Sequence, residues 1–231
     1  VRYQILSETS IYANIGSAFK VPSLTELYYF SEGPYGNTYG NPDLKPEESI
    51  SYEIGVDQRI GQNLNAFLSA YHTEIKNLIS YKPSKPNSTY INIDKAEING
   101  GELGLKWKKD DLFLNTEYAY VDSKDKKTDL RVAYKPKQTL TLTTGLENSI
   151  YGISASIIAR SDIYADNANK VKAPGYATVD LNMYWNINPN IKVFSNIENM
   201  GDVEYRTADN FGDGWYVNGG RQASVGVTFR Y

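Results

Sequence analysis

Hydrophobic and polar positions alternate with a period of two along much of this chain. From Tyr176 to Ile187 one side carries Ala177, Val179, Leu181, Met183, Trp185 and Ile187, and the other Tyr176, Thr178, Asp180, Asn182, Tyr184 and Asn186. Only an extended backbone, whose successive side chains point to opposite faces, divides them this way. The final segment sets Ala223, Val225, Val227, Phe229 and Tyr231 against Gln222, Ser224, Gly226, Thr228 and Arg230. Leu140, Leu142 and Leu146 likewise oppose Thr139, Thr141, Thr143 and Glu147, and Leu103, Leu105 and Trp107 oppose Glu102, Gly104 and Lys106. Segments 64–75 and 112–121 are ambiguous, and no stretch sustains a helical period.

The pattern predicts strands over 9–19, 48–60, 63–75, 90–107, 112–122, 135–148, 151–161, 175–187, 190–199 and 220–231, about ten in all and antiparallel. Connections at Gly61-Gln62, 108–111, 148–151 and 188–190 are tight and rich in the Asn, Gly, Asp and Pro that turns demand. Those at 20–47, 76–89, 123–134, 162–174 and 200–219 are long. Short turns on one rim and long loops on the other describe an all-β, antiparallel transmembrane β-barrel, with periplasmic turns, extracellular loops and Tyr231 at the periplasmic rim. A soluble barrel or sandwich shares the alternation but has no need of a long-loop rim.

Composition narrows the picture. The 231 residues are 41% hydrophobic, 22% charged and 13% aromatic, which suits one ordered domain. A net charge of −3 offers no basic face to a phosphate backbone, so nucleic acid is not an expected partner. Without cysteine there are neither disulfides nor thiolate metal sites. No run reaches the roughly 20 apolar residues of a transmembrane helix, a test that a barrel wall evades because only alternate residues face lipid. The chain opens on Val1 without a leader, and the expectation is a piece of a longer protein. Tyrosine outnumbers the other aromatics, 20 against 7 Phe and 3 Trp, as suits membrane interfaces and binding loops.

Two loop blocks carry a family resemblance. The first runs Gly16-Ser17-Ala18-Phe19-Lys20-Val21-Pro22-Ser23-Leu24-Thr25-Glu26-Leu27-Tyr28, and the second Gly40-Asn41-Pro42-Asp43-Leu44-Lys45-Pro46-Glu47-Glu48-Ser49. In order, each at a strand–loop boundary, they resemble the paired signature of TonB-dependent outer-membrane receptors. Tyr90 to Glu102, Asn196 to Tyr205 and Gly219 to Tyr231 resemble later strands of that family. Met200-Gly201 stands where Leu-Phe is usual, and Val21 where Ala is commoner. The resemblance implies a 22-stranded, plugged barrel, of which residues 1–231 are the C-terminal portion supplying about the last ten strands. Plug domain, N-terminal strands and the TonB-contacting segment would lie outside it. The function implied is TonB-energised uptake of a bulky nutrient across the outer membrane, with TonB, outer-membrane lipid and a small-molecule ligand as partners and no cofactor.

Vitamin B12 receptors are the subfamily that the first block, Val121-Asp122-Ser123-Lys124 and the terminal strand resemble most, which makes cobalamin the first expected ligand. By that analogy Tyr134 and Tyr164 fall near positions that contact it. Tyr28, Tyr29, Phe30, Tyr35 and Tyr39 crowd one loop, as ligand contacts or as loop self-packing; Arg131, Arg206, Trp215 and Tyr216 are further loop candidates. Pro22, Pro42 and Pro46 set a rigid extended path, and a scaffold role suits them better than ligand contact.

A ferric siderophore or haem is the alternative ligand. Anionic siderophores would call on Lys124, Lys126, Lys127, Arg131, Lys135 and Lys137, although a charge run at a loop tip is usually solvated. Haem is demoted because no histidine lies between the two blocks, the sole one being His72 in a predicted strand. With one histidine and no cysteine, no nucleophile–base motif emerges and no enzyme is expected. Loop acids at 122–129, 166 and 209–213 lack a recognised metal-binding spacing. A passive pore or adhesin barrel would share the strands but not the paired blocks.

Overall fold

The structure, a computed structural model, describes residues 1–33, 36–209 and 214–230. Strands β1 (Arg2–Leu6) and β2 (Thr9–Lys20) lead into the one-turn helix α1 (Leu24–Tyr28) and the short strands β3 (Phe30–Ser31) and β4 (Asn37–Tyr39). Then come β5 (Glu47–Ile60), β6 (Leu64–Lys82), β7 (Asn87–Lys109), β8 (Leu112–Asp125), β9 (Gln138–Glu147) and β10 (Tyr151–Arg160). After the loop strands β11 (Ile163–Tyr164) and β12 (Lys172–Ala173), the wall resumes with β13 (Tyr176–Asn188) and β14 (Ile191–Glu198). A second loop hairpin, β15 (Arg206–Asp209) and β16 (Trp215–Val217), precedes β17 (Gln222–Phe229).

The wall is a meander in the order β1-β2-β5-β6-β7-β8-β9-β10-β13-β14-β17, with every neighbour antiparallel. Among the described residues its two edge strands, β1 and β17, are each paired on one side only. Ten of its strands are those predicted, the ambiguous segments at 64–75 and 112–121 among them. β1 was not expected, since Arg2–Leu6 is too short for periodicity to register. It pairs with β2 from Arg2↔Tyr12 onward. No helix is long and apolar enough to cross a membrane.

The expected long loop at 76–89 is instead strand. β6 and β7 run 19 and 23 residues and stay paired up to Lys82↔Thr89, leaving only residues 83–86 as a tip. Tyr81 and Tyr90 meet edge to face there at 5.4 Å, an aromatic cross-strand pair of the kind that sustains a ladder. A membrane span needs roughly 9–11 tilted residues, so this hairpin projects well beyond the bilayer on the long-loop side. Tyr231 lies outside the described residues.

One register divides the wall into two faces. Ile11↔Val56↔Leu68↔Leu103↔Tyr118↔Leu140 forms a continuous apolar row, and Leu142↔Ile157↔Val179 belongs to the same side. Large side chains here stand open, with Ile15 at 75%, Leu68 at 54% and Val225 at 76% exposure, far more apolar surface than water tolerates in one patch. On this face Trp107, Tyr151, Trp185 and Phe229 lie toward the tight turns and Phe19, Tyr52 and Tyr120 toward the long loops, the distribution expected of the aromatic girdles of a transmembrane barrel.

The opposite face is polar and closely fitted. Tyr12 lies against Gly55, Phe67 against Gly104, Tyr71 against Gly100, Tyr184 against Gly152 and Phe194 against Gly226, each ring occupying the space where a Cβ would stand. Each pair is directly opposed across the ladder, so the ring shields backbone that glycine leaves bare. Gly104→Val should cost about 1–3 kcal/mol by overpacking. In urea unfolding of the full-length protein from lipid vesicles, pairing it with Phe67→Ala should recover part of that loss. Strict additivity of the two substitutions would refute the ring-on-glycine contact.

Candidate functional site

Among the described residues, the expected ligand contacts fall at the long-loop end of the wall, beginning with the loop at 21–46. Lys20, the last residue of β2, joins the two signature blocks: its Nζ is 2.9 Å from Glu26 Oε1 in α1 and 3.3 Å from Glu47 Oε1 at the start of β5. Ser23 caps α1 in a reciprocal capping box with Glu26. Burial works against the Glu26 charge, but the Ser23 and Lys20 hydrogen bonds outweigh it and hold its carboxyl below the usual range. Gly40 is obligatory through close approach: a Cβ there would sit 2.5 Å from the Leu27 carbonyl and the Tyr28 nitrogen.

The same loop leans on the projecting hairpin. β4 pairs in parallel with β7 from Asn37↔Asn87 to Tyr39↔Thr89. Asn41 Nδ2 donates to the Tyr90 carbonyl at 3.0 Å, and Asn92 Oδ1 accepts from the Lys45 amide at 2.9 Å. Tyr28 and Tyr29 remain exposed, while Tyr39 packs on Phe30 at 5.2 Å and accepts a hydrogen bond from Asn37. Loop self-packing thus accounts for Phe30 and Tyr39, while Tyr28 and Tyr29 stand open to solvent. Tyr35 lies outside the described residues.

Arg131, Tyr134 and Tyr164 meet at a junction between the loops 126–137 and 161–175. Arg131 Nη1 donates to Asp162 Oδ2 at 3.0 Å, and its Nη2 to the Lys135 and Asp162 carbonyls at 3.1 Å each. The guanidinium lies 5.1 Å from the Tyr164 ring centroid, which Lys172 Nζ approaches from 5.9 Å. The Tyr134 amide donates to the Tyr164 carbonyl at 2.7 Å. Tyr134 has φ +61°, a left-handed conformation that bulky residues adopt at a cost, and its side chain is exposed. Asn169 stitches the loops again, accepting from the Arg131 amide and donating to its carbonyl. Asn167 Nδ2 donates to Ser80 Oγ at 3.0 Å, so this junction also rests on the projecting hairpin.

Arg206, Trp215 and Tyr216 form a separate group on the β15–β16 hairpin. The Arg206 guanidinium is 5.4 Å from the Trp215 ring. Tyr205 stacks on Tyr176 at 3.9 Å and 8°, which ties the loop to the top of β13. The aromatic loop at 21–46 and the Arg131 junction are thus both braced on the tip of β6–β7, whereas the hairpin at 206–217 is anchored independently.

Asp162, Asn169 and Lys172 were not singled out by sequence; as single polar residues in a loop they carry no signal until the partner loop is known. His72 faces the outer side of the wall, stacked at 6.4 Å on Tyr52, with Nδ1 2.8 Å from Asn99 Oδ1. Among the described residues no three His, Asp or Glu side chains converge as metal ligands.

Asp162 makes the junction pH-sensitive. Burial disfavours its charge, but hydrogen bonds from Arg131 and Lys172 outweigh burial and hold its carboxyl below 3.8. A depressed carboxylate lends stability above its unfolded pKa and loses it as pH falls through the lower folded value. Amide hydrogen exchange over 126–137, corrected for intrinsic rates, should therefore show protection at neutral pH that fades only below about pH 4. Asp162→Asn should exchange fast at both; retained protection in that variant would contradict the role given to Asp162.

Comparison with known proteins fits this geometry. Residues 1–200 match the family described as TonB dependent receptor-like, beta-barrel. The vitamin B12 transporter BtuB of Photobacterium profundum is 33% identical over 208 residues, covering 88% of this chain and 33% of the relative. That of Vibrio vulnificus is 26% identical over 221 residues, covering 95% and 34%. This chain therefore spans about a third of the length of the curated relatives it matches. Among solved structures, the copper transporter OprC superimposes with a TM-score of 0.82 at 20% identity, over 99% of this chain and 37% of that one. The siderophore receptor PiuA from Acinetobacter baumannii does so with 0.74 at 23%, over 100% and 35%. At such identities the likeness speaks for the fold, while the family match spans most of the sequence: the chain belongs to the TonB-dependent receptor β-barrel family.

Proposed function

We propose that residues 1–231 are the C-terminal part of an outer-membrane receptor that imports cobalamin or another corrinoid at the expense of energy relayed by TonB. Plug domain and TonB-contacting segment belong, in this reading, to polypeptide outside the chain. The carrying observation is that the two curated relatives described above are both vitamin B12 transporters. The loop chemistry supports the same ligand class. An anionic ferric siderophore calls for cations to neutralise it, yet the basic residues of loop 126–137 and its flanks are largely committed. Arg131 pairs with Asp162 at 3.0 Å, Lys124 with Asp129 at 2.9 Å, Lys126 with Glu97 at 2.6 Å and Lys137 with Asp122 at 2.8 Å.

Beside the exposed Lys127 and Lys135, the loops present aromatic and amide surface, suited to a bulky ligand held by many polar and stacking contacts. Tyr28, Tyr29, Tyr134, Trp215 and Tyr216 are the contacts assigned to it, with Arg131 and Tyr164 positioning Tyr134 from behind. The family membership disfavours a passive pore, and no catalytic role is assigned.

Titration of the intact receptor with cyanocobalamin, haem and a ferric catecholate should give saturable binding for cobalamin only. Tyr134→Ala should weaken it about tenfold, as loss of an aromatic anchor does, with the 126–137 protection pattern unchanged. Binding of the ferric catecholate in place of cobalamin would move the protein to siderophore uptake. Solute flux through the reconstituted receptor without any energy source would indicate a pore.

A further inference from the structure

Two cations share one carboxylate where the loops 126–137 and 161–175 meet. Arg131 Nη1 and Lys172 Nζ approach the same Asp162 Oδ2, at 3.0 and 3.3 Å, and among the described residues neither has a second carboxylate partner. Asp166, the other acid of the loop 161–175, turns its Oδ1 to the Lys170 and Val171 amides at 2.8 Å each. With Asp162 ionised at neutral pH, the cluster of three side chains keeps one positive charge in excess.

The two cations are not equivalent. The Arg131 side chain is 15% exposed and spends Nη2 on the Lys135 and Asp162 carbonyls. Lys172 is 54% exposed, and among the described residues Asp162 is the one acceptor that its ammonium meets. An ammonium carries three donors, so the surplus charge resides on Lys172 with donors open to solvent.

Position is fixed as well as charge. Lys172 pairs with Tyr164 across the β11–β12 hairpin. Its Nζ lies 5.9 Å from the Tyr164 ring centroid while Arg131 holds the same ring at 5.1 Å, a cation–π contact that restricts where the ammonium can go. The Tyr134 amide donates to the Tyr164 carbonyl, so an open ammonium and an exposed tyrosine flank one residue. Such a pair fits a ligand that joins a single anionic group to a broad surface of amides and rings.

Charge count selects the group. One surplus cation balances a singly charged anion such as a phosphodiester and falls short of a ferric catecholate with its several negative charges. In cobalamin, the ligand of the function proposed above on which this step rests, the amide side chains of the corrin are neutral and the phosphodiester of the nucleotide arm is the anionic side group. We infer that Lys172 binds this phosphodiester and is the specificity-determining residue that separates complete cobalamins from corrinoids lacking the nucleotide arm.

The test titrates the full-length receptor, in nanodiscs of zwitterionic lipid so that no anionic headgroup competes, with cyanocobalamin and with dicyanocobinamide, which has the corrin but no phosphodiester. The unsubstituted receptor should prefer cyanocobalamin, and added salt should erode that preference. Lys172→Gln should weaken cyanocobalamin binding about tenfold, as loss of a hydrogen bond to a charged group does, and leave cobinamide binding unchanged, which also shows that the site is folded. Lys172→Arg should retain the preference. An equal loss for both corrinoids, or cyanocobalamin bound undiminished by Lys172→Gln, would overturn the assignment of Lys172 and leave the corrinoid reading standing. Failure of the unsubstituted receptor to bind either corrinoid would overturn that reading and this inference with it.

Discussion

A backbone that crosses lipid must satisfy its own hydrogen bonds, because hydrocarbon offers none. That constraint fixes the continuous antiparallel ladder from β1 to β17, and the ladder fixes everything else. Once register is continuous, side-chain parity is too, since a slip by one residue would exchange the faces. The apolar row through Leu68 and Leu103 and the polar row through Tyr71 and Gly100 are two consequences of one alignment. The ring-on-glycine pairs then hold that alignment in place, because a shifted strand would set each ring against a neighbour with a side chain of its own.

Above the bilayer the constraint relaxes and the solution changes. Water can satisfy loop backbone, so the loops are held by a few specific polar contacts in place of a ladder. Lys20 closes the first loop onto two strand ends, and Arg131 with Asp162 closes two further loops onto each other. The projecting end of β6–β7 serves both as a post, receiving β4 on one side and Asn167 on the other. Aromatic side chains such as Tyr28 and Tyr134 are thereby presented from a braced frame, and in the function proposed above such a frame would lower the ordering cost of ligand binding.

The wall was legible in the sequence because alternation is a local signal: segments such as 176–187 declare their faces without reference to any partner. Where it failed, the signal was too short or was masked. Arg2–Leu6 offers only five residues. At 76–89 the prolines at 83 and 86 suggest a long loop, yet Tyr81 and Tyr90 keep the strands paired almost to the tip. The two loop blocks were recognisable as motifs, but their purpose was not. That Lys20, Glu26 and Glu47 form one ion-pair cluster depends on a chain reversal that spacing alone does not reveal. The Asp162 junction was illegible for the same reason, since Arg131 and Asp162 are 31 residues apart.

Because one register underlies wall, rims and loops, it is the claim to test. Nitroxides placed singly from Ile153 to Ile158 on β10 of the receptor in bilayers should alternate in collision with oxygen and with a water-soluble nickel chelate. The account predicts oxygen maxima at Ile153, Ala155 and Ile157, on the lipid side, and minima at Ser154, Ser156 and Ile158. A flat profile, or one with the two sets exchanged, would contradict it.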